Sequence, residues 1–73
     1  MFTKVLSHAG HTRRFTISEG ARVGWEMRVE EDNRVVRHVC YHDWHRVERA
    51  LSAIALQVES LERVGWRESA TSG

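Results

Sequence analysis

Apolar and polar residues alternate along the first forty positions, then switch to a three-and-four spacing after residue 43. The alternation is clearest over residues 22–30. Val23, Trp25, Met27 and Val29 share one face there, while Arg22, Gly24, Glu26, Arg28 and Glu30 share the other. Residues 12–18 repeat the pattern more weakly, with Phe15 and Ile17 on one side, and residues 2–7 predict a first strand. Turns are expected at His8–His11, where Gly10 tolerates a positive φ, and at Glu19–Ala21. A three-residue loop of Glu31, Asp32 and Asn33 then leads into a strand over 34–42. That loop predicts a register with Glu30 opposite Arg34, Val29 opposite Val35, Trp25 opposite Val39 and Val23 opposite Tyr41. Val35, Val39 and Tyr41 would face inwards. Arg37 falls on the same side, at a cost unless it reaches solvent at the rim.

Residues 43–65 predict one long helix. Trp44, Val47, Leu51, Ile54, Val58 and Leu61 recur every third or fourth residue and make a continuous apolar seam flanked by Ala50 and Ala55. Asp43 suits the N-cap. Gly65 suits a left-handed stop, with Trp66 folding back on the last turn. Some 21 residues give roughly 32 Å of helix, against about 15–20 Å for the width of four strands. The helix is therefore expected to cross the sheet diagonally and overhang it. Leu56 lies off the seam, and with the overhang it marks a candidate contact between two copies. The expected architecture is α+β: a four-stranded antiparallel meander (ββββα) packed on one C-terminal helix. Residues 1–67 form the domain, and 68–73 form a flexible tail.

Length limits this picture to one small domain, because 73 residues bury only about 60% of the surface of the unfolded chain. Such domains need good packing, a staple or a second subunit. Cys40 is the only cysteine, so no disulfide forms within one chain, and a reducing compartment is expected. The first fifteen residues lack the apolar core of a secretion signal, and no apolar run reaches membrane-spanning length. A cytoplasmic protein without a membrane partner is the resulting expectation. Net charge is +1, and all basic residues but Lys4 are arginines. Arginine forks onto phosphates and carboxylates, although a codon bias towards arginine explains the same excess.

Chemistry changes the picture little. Cys40, His42, Asp43 and His45 are close in sequence, but paired metal-ligand spacing is absent, and neighbours on one strand point parallel rather than converging. No phosphate loop or isolated carboxylate pair is present. No catalytic residue, metal or cofactor is assigned, and binding rather than catalysis is expected. The register places Arg14, Arg22, Arg28, Arg34, His38 and His42 on the outer sheet face, diluted by Glu26 and Glu30. Of these, Arg14, Arg22, Arg28, Arg34 and His38 are the candidate contacts to a DNA or RNA backbone. The alternative is a protein-interaction adaptor or inhibitor acting through the helix overhang or a sheet edge. A homodimer through Leu56 fits either one.

The hairpin GWEMRVEEDNRVVRHVCY, followed by a helix ending VESLERVGW, resembles the WGR domain, a small sheet-plus-helix module of DNA-dependent proteins. The Trp-Gly-Arg tripeptide is missing, so the resemblance carries no site residue across. The ββββα order is also similar to Whirly-type single-strand DNA-binding domains, in order of elements alone.

Overall fold

The computed structural model describes residues 2–20 and 24–69. The elements follow one another as β1 (Phe2–His8), β2 (His11–Glu19), β3 (Trp25–Glu31), β4 (Arg34–Tyr41), α1 (Trp44–Arg63) and a short β5 (Arg67–Glu68). The first four strands form the expected antiparallel meander, and one helix packs on it. The sheet has a fifth strand, giving the order β4-β3-β2-β1-β5.

Alternation decides which side is the core. Leu6, Phe15, Ile17, Met27 and Val29 project from β1, β2 and β3 onto Val47, Ala50, Ile54 and Val58 of the helix, and all nine are buried. Trp25, Val39, Tyr41, Leu51, Leu61 and Trp66 close the margins. Val23, expected on this face, lies outside the described residues. Trp44, expected within the seam, is 51% exposed; its indole packs edge-on against Trp25, with ring centroids 5.4 Å apart.

The β3–β4 hairpin corrects the expected register. Its loop has two residues, Asp32 and Asn33, at φ 50° and 69°. Two consecutive positive φ values define the turn whose twist matches antiparallel strands. Glu31 therefore pairs with Arg34 and Glu30 with Val35. Val36 is then an extra residue, and the ladder resumes with Val29 opposite Arg37 and Trp25 opposite Tyr41. The bulge restores the parity that a two-residue loop alone would break. Val39 and Tyr41 keep the inward side, but Val35 moves to the outer face and Arg34 leaves it. The β1–β2 turn is tighter than expected for the same reason: only Ala9 and Gly10 lie between the paired His8 and His11.

The helix starts where Asp43 accepts a hydrogen bond from the Arg46 amide at 3.0 Å. It stops in a Schellman arrangement: the Trp66 amide bonds to the Leu61 carbonyl and the Gly65 amide to that of Glu62, with Gly65 at φ 112°. The chain then runs beside β1. Leu6 pairs with Glu68, the Ser69 amide donates to the Val5 carbonyl at 2.9 Å, and the Ser69 and Ser7 hydroxyls are 3.1 Å apart. Backbone pairing with an open sheet edge thus extends past residue 67, into the segment expected to be tail; 70–73 lie outside the described residues.

The helix path positions everything that follows. It begins beside Trp25, three residues after Tyr41, and ends where Gly65 meets His8 at the far end of β1. It therefore crosses from the last strand to the first. The start of β4 is left without a helix above it, and no β4 residue is buried.

Candidate functional site

The outer sheet face is built from the polar half of each alternation. Arg14, Thr16, Ser18, Glu26, Arg28 and Glu30 line a shallow depression there. The ladder sets cations next to carboxylates. Arg14 lies opposite Glu30, with Nη1 and Oε2 3.5 Å apart. Arg28 lies 3.6 Å from Glu26, and His38 Nε2 is 3.0 Å from the same Glu26 oxygen. Arg14, Arg28 and His38 thus share this face, each beside an acid. Arg34 sits at the hairpin end, opposite Glu31. Arg22 lies outside the described residues. Among the described residues, no Phe, Tyr or Trp ring projects from this face, so the His38 imidazole is the one ring there on which a base could stack.

Cys40 is exposed and pairs with Glu26 across the ladder. Asp43 is engaged as the helix cap, and His45 lies 3.7 Å from Glu48. Among the described residues, no three His, Cys, Asp or Glu side chains converge as a metal site would require.

A second surface lies along the flank of β4. Between β4 and the helix runs a groove of about 260 Å³. Met27 and Val29 form its floor, Ala50, Ala53, Ile54 and Gln57 form the helix wall, and Val36, Arg37 and Tyr41 form the strand wall. It exists because α1 drifts away from β4 and because Ala50 and Ala53 present no bulk. The bulge turns Val36 towards it. Val35 and Val36 are each about half exposed, an unusual load for an edge strand. Arg13 closes one end, its Nη2 held 2.8 Å from Glu31, while its Nε is buried without a partner. Arg34 and Arg37 have no carboxylate within ion-pair distance among the described residues, unlike the arginines of the outer face. The sequence signal was Arg37 itself, a cation in an inward position.

Leu56, expected to join two copies, is 68% exposed. Its neighbours one turn away are Ser52, Ala53, Glu59 and Ser60.

The two hairpin ends are tied together by polar contacts. His11 Nδ1 lies 2.9 Å from Asp32 Oδ2, and the Thr12 amide donates to Oδ1 at 2.9 Å. The hydrogen bond to Asp32, and then its charge, hold His11 above its ordinary 6.5. The hydrogen bond from His11, then that from the Thr12 amide, hold Asp32 below its ordinary 3.8. A raised histidine stabilises the fold below 6.5 and loses that effect as pH rises through its folded value. A lowered aspartate stabilises above 3.8 and loses the effect as pH falls through its own folded value. The pair therefore acts in full between those limits. An NMR titration of the imidazoles is expected to show His11 with a midpoint above 6.5, falling back in Asp32→Asn. An unchanged midpoint in that variant would contradict the assignment.

Comparison with protein-family models, curated proteins and solved structures returned no match to this chain. Among the described residues, no helix is long and apolar enough to cross a membrane.

Proposed function

We propose that the protein is a small, non-enzymatic interaction module that binds a partner polypeptide on the flank formed by β4 and the groove beside it. One observation carries this reading: the groove is apolar, open and walled by β4, which among the described residues has one edge without a partner strand. Edge strands offer a free row of backbone donors and acceptors, and apolar grooves supply side-chain pockets. The nucleic-acid alternative has less support, because Arg14 and Arg28 on the outer face already stand beside Glu30 and Glu26. A phosphate backbone would have to displace those carboxylates before gaining its own contacts.

Selection from a random peptide-display library tests the proposal. Peptides are expected that bind the native protein and lose at least tenfold in affinity on Ala53→Glu, which fills the groove at an exposed helix position. Peptides that bind both proteins equally, or no enriched peptide at all, would overturn it. Salt-dependent binding of single-stranded DNA or RNA, abolished by Arg14→Glu with Arg28→Glu, would instead support the nucleic-acid reading.

A further inference from the structure

Resting on that reading, we infer that the partner is an extended acidic segment that adds to β4 as a further strand. It places an apolar side chain in the groove and carboxylates on Arg37 and Arg34. Three features converge on this occupant.

The first is the edge. β5 covers part of β1 on one side of the sheet, whereas β4 is the last strand on the other; among the described residues, seven of its eight residues pair, all with β3. An extended chain is the form that satisfies such a row of peptide groups.

The second is the alternation of β4. Arg37, Val39 and Tyr41 project to the helix side, together with the bulged Val36. An added strand therefore directs every second side chain over the groove, while the intervening ones face the solvated outer side. Beside Tyr41, those side chains enter the groove walled on the helix side by Ala50, Ala53 and Ile54 and gain by being apolar. Opposite Arg37, and beyond it at Arg34, they meet guanidinium groups that lack a carboxylate among the described residues.

The third is charge. Residues 34–41 carry Arg34, Arg37 and His38 and no acid. Two copies of β4 joined edge to edge would set like charges beside each other, which disfavours a second copy as the occupant. Arginines commonly guard an edge against its own kind. Here the same side chains select a strand of opposite charge, and two half-exposed valines beside them give that strand something to bury.

The probe is an eight-residue blocked peptide in which threonine alternates with valine, valine, glutamate and glutamate. Its control has lysine at both glutamate positions. The acidic peptide is expected to bind at least tenfold more tightly than the control and to weaken with salt. Arg34→Glu with Arg37→Glu should reverse the order of the two peptides. Amide exchange should slow at β4 residues on binding, while the α1 amides on the solvent side are unchanged. Equal binding of both peptides, or protection confined to the helix, would overturn the inference. If library-selected peptides occupy the groove but are neither acidic nor protective of β4 amides, the interaction module stands and the acidic strand falls. If Ala53→Glu leaves all peptide binding intact, the flank itself is wrong. A dimer whose β4 amides are protected without peptide would make the occupant a second copy and overturn the acidic segment.

Discussion

Phe15→Ala is expected to remove about 3–5 kcal/mol of stability, the usual cost of deleting a buried phenylalanine ring. Phe15 has no exposed surface. It lies in β2, at the middle of the meander, with Lys4 beside it on one side and Val29 on the other. Its ring meets the helix seam, so its loss is felt on both layers. A chain of 73 residues has a total stability on the order of 4–11 kcal/mol at typical values per residue. One substitution thus takes about a quarter or more of it. Urea unfolding followed by circular dichroism should show the midpoint displaced far down, or no cooperative transition at all. Leu56→Ala is the matched control: with its side chain in solvent, it should change stability by less than about 0.5 kcal/mol. A Phe15→Ala loss as small as that of Leu56→Ala would mean that the core lies elsewhere.

The core was legible because both periodicities are strong. Phe15, Ile17, Met27 and Val29 follow the two-residue repeat, and Val47, Ile54 and Val58 follow the helical one. Their burial requires only that the two apolar surfaces meet. The hairpin register is less legible, since it depends on two features acting together. A two-residue turn at Asp32 and Asn33 throws Trp25 opposite Cys40, which looks wrong, unless a bulge at Val36 adds the missing residue. Either change alone is penalised by the pattern, and only the pair is consistent. The strand β5 gave no signal, because Arg67 and Glu68 pair through backbone groups alone, and pairing of that kind leaves no mark on side-chain chemistry.

The sheet faces show the same limit. Alternation places Arg14, Arg28 and His38 on one face correctly as to side. It does not say that Glu30 falls opposite Arg14, or that Glu26 stands between Arg28 and His38, because those pairings depend on register across three strands. Arg37 is the converse case. In the alternation alone, its inward position is a cost unless the side chain reaches solvent at the rim. Once the helix is seen to leave β4 and run towards β1, that position becomes the wall of an open groove, and the misfit of one cation is the mark of the surface proposed for binding.

Gly24→Ala is expected to be the most damaging change outside the core, and Gly10→Ala separates its causes. Both glycines have positive φ, 131° at Gly24 and 82° at Gly10. An alanine costs about 1–2 kcal/mol for entering the left-handed region at Gly10, and at least as much at Gly24, whose φ lies beyond that region. At Gly10 a new methyl meets nothing within 4 Å, so that term stands alone. At Gly24 the methyl carbon would lie 2.6 Å from the Tyr41 carbonyl oxygen, and the obstacle is backbone rather than a flexible side chain. The overlap must be relieved by moving β3 from β4 at Trp25 and Tyr41, which strains or breaks the last rung of that ladder. Strained backbone of this kind costs roughly 1–3 kcal/mol more. Gly24→Ala should therefore lose more stability than Gly10→Ala by about that margin in parallel urea titrations. Because Tyr41 also lines the groove, the same variant should weaken peptide binding beyond any loss of folded protein. Equal stability losses at the two glycines would show that β4 moves aside freely and that the close approach at Tyr41 does not fix the strand.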